Sequence, residues 1–245
     1  MSIRIDGITA LVTGANRGLG RALVDALLAR GAARVYAGAR RIESLDALVA
    51  ESGGRVVPLA LDVTRPDDIA AAASAAGDVE LIVNNAGIVS HLAGPFGDPE
   101  WLRAGREEYE VNVLGPLALT QRFQPILARN GGGGVVNVAS VTSFVAFELA
   151  PTYSASKAAT HSITQYTRQA LRDQGTFVAG AYPGPVDTDM ARDLPVDKTP
   201  AAAVANAILD GVEAGVEDIL PDPVAVQLGG VFFSNPKELE GTAAA

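Results

Sequence analysis

Apolar positions along this chain fall into short uninterrupted runs, set apart by longer mixed stretches. The runs at 8–13, 35–38, 56–61, 81–83, 135–138 and 176–182 predict strands, with a short strand at 219–220. The stretches at 19–30, 43–51, 66–76, 99–129, 152–173 and 201–213 predict helices. Gly31 closes the first of these, and Pro66 stands in the first turn of the third. Pro116 and Pro125 are expected to bend or interrupt the long stretch 99–129. The run 131–134 reads as a loop and 238–245 as a loose tail. Strands that are apolar throughout, instead of alternating, are buried on both faces. Alternation of such strands with helices implies one parallel sheet covered on each side. Neither a linker nor a repeat divides the sequence. The expected architecture is a single α/β domain over 1–245, a doubly wound parallel sheet with helices on both faces.

Composition narrows the classes of function. Apolar residues make up 48% and charged residues 19%, enough to bury a sizeable core and too little charge for disorder. The net charge of −9 argues against partnership with nucleic acid or an anionic membrane surface. The absence of cysteine removes disulfides, thiolate catalysis and thiolate metal sites together. His91 and His161 stand far apart, so no metal site is expected. Residues 1–7 have no apolar core of signal-peptide length, and no run could span a bilayer, which leads to the expectation of a soluble cytoplasmic protein.

The first chemical signal is a glycine-rich turn. The first strand leads through Thr13, Gly14, Ala15, Asn16, Arg17, Gly18, Leu19 and Gly20 directly into a helix. Glycines allow a tight turn and a close backbone approach to a pyrophosphate, and the helix N-terminus faces the anion with its positive end. An NAD-binding chain usually carries an acidic residue about 20 residues further on, for the ribose hydroxyls. Here Arg40 and Arg41 end the second strand instead. Guanidinium groups bind phosphate through charge-assisted, often bidentate hydrogen bonds. Arg17 and Arg40 are therefore expected to hold the 2′-phosphate of NADP(H).

The second signal is Tyr153 and Lys157, whose i, i+4 spacing on a predicted helix sets them on one face. A free phenol has a pKa of about 10. A neighbouring ammonium and an oxidised nicotinamide would lower it, and a drop of about 2–3 units corresponds to roughly 3–4 kcal/mol. Such a phenol can serve as general acid for a carbonyl being reduced. Ser140 follows the 135–138 strand, Asn112 lies in the long helical stretch before it, and Asn84-Asn85-Ala86-Gly87 ends the 81–83 strand. These positions fall at or beyond the carboxyl ends of strands, where open α/β sheets bind ligands.

Taken together, the T-G-x-x-x-G-x-G turn, N-N-A-G, Asn112, Ser140, Tyr153, Lys157 and Pro183-Gly184 occur in the order of the classical short-chain dehydrogenase/reductases, which the chain resembles over residues 7–190. The resemblance implies a Rossmann-like fold. It implies that Tyr153 donates and accepts the proton, that Lys157 holds the nicotinamide ribose and lowers the tyrosine pKa, that Ser140 positions the carbonyl, and that Asn112 supports a water linking Lys157 to solvent. It implies an adenine contact at Asp62, with Val63 beside it. It also implies cofactor contacts at Asn85, Ala86 and Gly87, and nicotinamide-end contacts at Pro183, Gly184, Val186 and Thr188. In this family a lid covers the region matching 186–200. Phe144, Val145, Phe147, Leu149, Met190 and Leu194 would wall the pocket, which suggests an apolar small-molecule ketone or aldehyde. Where many tetrameric members carry a V-D-G-G-like turn, residues 218–223 read D-I-L-P-D-P, so a homodimer through 99–129 and 152–173 is preferred over a tetramer. Two other functions stay open. One is a β-ketoacyl thioester reductase whose acidic carrier protein docks on Arg122, Arg129, Arg168 and Arg172. The other is an NADP(H)-binding regulator without turnover. Activity on an acetoacetyl thioester separates the first, and a substrate panel without turnover favours the second.

Overall fold

The computed structural model describes residues 2–92 and 94–239. Its central sheet has seven strands in the order β3-β2-β1-β4-β5-β6-β9, every pairing parallel. These are β1 (Thr9–Thr13), β2 (Arg34–Ala39), β3 (Val56–Ala60), β4 (Leu81–Asn84), β5 (Gly134–Val138), β6 (Phe177–Ala181) and β9 (Asp218–Ile219). The chain order reverses between β1 and β4, and the crevice outside the carboxyl ends of strands at such a switch point is where ligands bind. β1, β4, β5 and β6 are buried along their whole length, as their apolar composition predicts. β3 is one of the two edge strands and carries Pro58, which an interior strand would not tolerate.

Strand parity divides the core between two faces. Ala10 and Val12 of β1 join Val136 and Ala179 under α1 (Gly18–Ala29) and α7 (Ala201–Ala214), together with Leu23, Leu27 and Ile208. Leu11 points the other way and joins Val135 and Val178 under α3 (Pro66–Ala75) and α5 (Gly115–Arg129), with Ile69, Ile82 and Phe123. Beside α5, α4 (Glu100–Tyr109) packs on α6 (Pro151–Ala170).

Most expected elements stand within a residue or two of their predicted ends. The stretch 43–51 divides into a 3-10 turn, Ile42–Leu45, and α2 (Asp46–Glu51). The stretch 99–129 is broken by a π-helical turn at Glu110–Leu114. Pro116 lies two residues beyond that turn, and Pro125 stays inside α5. A strand pair and a helix were not anticipated. A pairing of β7 (Val186–Asp187) with β8 (Thr199–Pro200) closes the neck of the segment expected to form a lid. Helix α8 (Pro223–Ser234) covers an aromatic cluster of Phe144, Tyr182 and Phe232. Of the expected loose tail, Glu238 closes a 3-10 turn, Pro236–Glu238, and 240–245 lie outside the described residues. No helix among the described residues is long and apolar enough to cross a membrane.

Candidate active site

The glycine turn is held from below by β4. Thr13 Oγ1 accepts the N–H groups of Asn85 and Ala86, each at 3.0 Å, and Asn85 Nδ2 donates to the Thr13 carbonyl at 2.9 Å. Gly14 takes φ +64° and Gly18 φ +54°, left-handed backbone that glycine reaches without strain. Gly20 has an ordinary φ but no room: a Cβ there would come within 2.1 Å of the Gly14 carbonyl oxygen. Helix α1 starts with Arg17 as its N-cap, with no side-chain cap and no acid in the first turn. Its N–H groups and positive end are thus directed at whatever anion sits in the turn. Asn16 is half-buried in the same turn, and Leu19 packs on the first core face. The turn therefore suits a dinucleotide pyrophosphate in both shape and polarity.

The two arginines expected at the 2′-phosphate lie in different settings. Arg40 is exposed at the end of β2, and its charge reaches Asp62 at the end of β3. Burial works against the ionisation of Asp62, but hydrogen bonds from Thr64, with Arg40 and Arg65, hold its carboxyl below the usual value. Val63 is buried beneath Gly115, where a Cβ would approach its Cγ2 to 2.8 Å. Arg17 turns outward and pairs with Asp189 at 3.1 Å, tying the glycine turn to the first turn of the 186–200 segment. Thr188 adds a second tie, since a Cβ on Gly18 would lie 3.2 Å from its Cγ2.

Ser140, Tyr153 and Lys157 converge beyond β5. Ser140 caps the 3-10 turn Val141–Ser143 by accepting the Thr142 N–H at 3.2 Å. Tyr153 lies in the first turn of α6, with Lys157 one turn later. Lys157 is buried, donates to the Val138 carbonyl at 2.9 Å, and lies 5.6 Å from the centre of the Tyr153 ring. The groups of the chain itself do not lower the phenol as the i, i+4 pairing suggested. Desolvation pushes Tyr153 up to about 12; a hydrogen bond from Ser140 pulls against it, and the charge of Glu108 adds to it. Desolvation also brings the Lys157 ammonium down to about 8. The lysine pairs with a backbone carbonyl in a buried site, so burial outweighs charge at both groups.

Asn112 sits inside the π-helical turn, a distortion frequent at functional sites. Its side chain grips the strand end opposite: Oδ1 accepts the Ile88 N–H at 2.9 Å, and Nδ2 donates to the Ile88 carbonyl and to Ser156 Oγ, both at 3.0 Å. Pro116 has no N–H to offer the Asn112 carbonyl one turn back, and the Thr160 hydroxyl lies 2.9 Å from that oxygen instead. A Cβ on Gly87 would lie 3.3 Å from Asn112 Oδ1 and 3.6 Å from Lys157 Nζ, so these three residues meet at one point. Pro183 and Gly184 close the site from β6: the Pro183 carbonyl accepts the Val141 N–H at 3.0 Å.

Sequence reasoning missed Asp222, Asn137 and Glu108. Asp222 is buried at the start of α8, where it accepts the Ala225 N–H at 2.9 Å and the Gly184 N–H at 2.7 Å. It thereby fixes the turn after β6. Its signal was an aspartate directly before a proline at a helix start. Asn84 and Asn137 form a buried amide ladder from β4 through β5 to Thr164 of α6. Glu108 is fully buried in α4. The side chains expected to wall the pocket are divided. Phe144 stacks on Phe232 with ring centres 4.6 Å apart, which commits it to the cluster under α8, and Val145 packs there too. Phe147 and Leu194 are half-buried, while Leu149 and Met190 are exposed. Arg122, Arg129 and Arg172 are exposed, but Arg168 is tied to the Val178 and Glu217 carbonyls and to Asp218, which takes it out of a docking patch. His91 pairs with Asp98 at 3.1 Å and meets Trp101 edge-on; His161 reaches the Tyr182 hydroxyl at 2.7 Å.

Residues 8–199 match the model of the short chain dehydrogenase family. A short chain dehydrogenase of Burkholderia cenocepacia, solved in complex with NADP, superposes with a TM-score of 0.90 at 37% identity, covering 99% of this chain and 100% of that one. An uncharacterised oxidoreductase of Staphylococcus aureus is 30% identical over 91% of this chain and 100% of its own length. A short chain dehydrogenase of Pseudocercospora fijiensis is 33% identical over 76% of this chain, which spans 62% of the length of that relative.

Proposed function

The chain belongs to the short-chain dehydrogenase/reductase family, and from that membership we propose that it is an NADP(H)-dependent reductase of ketones and aldehydes, reversible as an alcohol dehydrogenase. The observation that carries this reading is the convergence of Ser140, Tyr153 and Lys157 at the carboxyl edge of the sheet, beside a turn shaped for a pyrophosphate. A nicotinamide dinucleotide bound in that turn supplies or takes up the hydride. The rest of the chemistry belongs to the chain. Ser140 donates a hydrogen bond to the substrate oxygen and holds it near the phenol. Tyr153, kept protonated by its buried setting, gives its proton to that oxygen during reduction. Lys157 contributes positive charge, and its tie to the Val138 carbonyl fixes where that charge stands. Asn112 holds the segment after β4 at Ile88, and Gly87, lacking a side chain, leaves room beside Asn112 Oδ1 and Lys157 Nζ.

The choice of NADP(H) over NAD(H) rests on Arg40, on the lack of an acid at the end of β2, and on the NADP complex of the Burkholderia relative. Arg17 can join Arg40 only by leaving Asp189, an exposed pair worth at most about 1 kcal/mol, so the exchange costs little. Phe147, Leu149, Met190 and Leu194 support a mainly apolar substrate body. The exposed Leu102, Tyr109, Leu114 and Tyr166 on the 99–129 and 152–173 helices support a homodimer through that face, which light scattering at twice the monomer mass would bear out.

Binding of NADPH and NADH to the purified protein, followed by fluorescence, tests the cofactor. A preference for NADPH of about tenfold, or about 1.4 kcal/mol, that is lost in Arg40→Ala is expected. Equal affinity, or a preference for NADH, contradicts the 2′-phosphate assignment.

A further inference from the structure

Glu108 is 0% exposed, a rare condition for a glutamate. Its place follows from its helix. Three residues before it, Gly105 faces α6 so closely that a Cβ would lie 3.3 Å from Thr152 Cγ2. Four residues after it, Asn112 reaches Ser156 at 3.0 Å. Between those two contacts, Glu108 stands level with Tyr153 across the seam of α4 and α6. Its charge is felt at the phenol, which it helps to hold protonated. On its other side Oε1 accepts the Ser90 N–H at 2.8 Å, just beyond the strand end that Asn112 grips at Ile88. Oε2 is buried and has no hydrogen-bond partner among the described residues.

A buried carboxylate oxygen without a hydrogen-bond partner costs free energy, which a donor arriving from outside would recover. Two further buried side-chain atoms without a partner lie near the same residues: the Thr152 hydroxyl, next to Tyr153, and the Thr142 hydroxyl, two residues beyond Ser140.

We propose that Glu108 is a substrate-recognition residue, its free carboxylate oxygen accepting a hydrogen bond from a hydroxyl or ammonium group carried near the reacting carbonyl. The preferred substrates are then hydroxy- or amino-substituted ketones and aldehydes with an otherwise apolar body. The inference rests on the carbonyl-reductase reading and sharpens it. A site that satisfies a substrate donor with a buried acceptor rejects the analogue lacking that donor far more strongly than an apolar pocket rejects a missing methylene.

The test compares kcat/KM with NADPH for three ketones of one frame: α-hydroxyacetophenone, α-aminoacetophenone and propiophenone, in which a methyl replaces the donor. The wild-type protein is expected to favour at least one donor-bearing ketone over propiophenone by about tenfold or more. Glu108→Gln keeps an acceptor for the Ser90 N–H but turns an N–H toward the substrate. It is expected to lose that preference, kcat/KM for the donor-bearing ketone falling to the level of propiophenone, beyond any change common to all three ketones that follows from losing the charge beside Tyr153. Which donor is favoured separates the hydroxyl from the ammonium source. Lack of discrimination by the wild-type protein overturns the inference, as does an equal fall for all three ketones in Glu108→Gln, which would make the residue an anchor for Ser90 alone. Turnover of none of the three, with NADPH bound, overturns the carbonyl-reductase reading itself and the inference with it.

Discussion

The proposed reacting residues are governed by burial more than by their charges. Tyr153 and Lys157 are neighbours on one helix face, as their spacing indicated, yet each is displaced toward its neutral form: the phenol up to about 12, the ammonium down to about 8, desolvation being the largest cause at both. The sign of the consequence follows. A phenol that keeps its proton to high pH is available as an acid throughout the neutral range. A lysine that loses its proton near pH 8 takes its positive charge away above that point. Reduction is therefore expected to have a level kcat/KM between about pH 6 and 7 and to decline by about tenfold per unit well above pH 8, reporting the free enzyme. A profile that stays level to pH 10 contradicts the assignment of that limb to Lys157. The pairing itself was legible because i, i+4 geometry is local. The direction of the pKa shifts was not, because it depends on how deeply β5 and α6 bury the pair, and on Glu108, which is far from Tyr153 in sequence.

At the level of elements, the site is held by contacts between strand ends and the helices that follow them. Thr13 binds the turn after β4, Asn112 the segment after that turn, and Asp222 the turn after β6. Asp222 gives the clearest prediction. Asp222→Ala removes the cap of α8 and the acceptor of the Gly184 N–H together, and a lost cap alone is worth about 1–2 kcal/mol. Urea denaturation is expected to show a loss of about that size or somewhat more, with weaker cofactor binding; a variant as stable as the wild-type protein would show that the cap contributes nothing. The strands and the glycine turn were readable because apolar runs and turn glycines are local signals. Helix α8 was not, because its apolar run contains Gly229 and Gly230, poor helix formers, and its stability comes from packing on Phe144 and Tyr182. The break in 99–129 was foreseen at the prolines and occurs at Glu110–Leu114, where Pro116 withholds an N–H from Asn112 and Thr160 stands in for it. The Phe144 ring, expected at the pocket, went to the core because α8 was there to cover it.

Across the whole molecule, the sheet order brings Gly14, Asn85, Ser140 and Gly184 from four separate crossovers to one edge. This explains why the order of motifs pointed to the fold: each one follows a strand, and parallel strands deliver their carboxyl ends to the same side. It also explains why Glu108 escaped notice, since a single glutamate among Arg106, Glu107 and Glu110 reads as a solvated helix face until the packing of α4 on α6 buries it. The central claim is that this crevice transfers a hydride to a carbonyl with Tyr153 as proton donor. The most direct measurement is turnover of an aryl ketone by Tyr153→Phe, alongside NADPH binding by the same variant. The account predicts NADPH affinity within about threefold of wild type and turnover reduced by about a hundredfold or more, within the range general acid catalysis supplies. A variant that binds NADPH and reduces the ketone at the wild-type rate would contradict it.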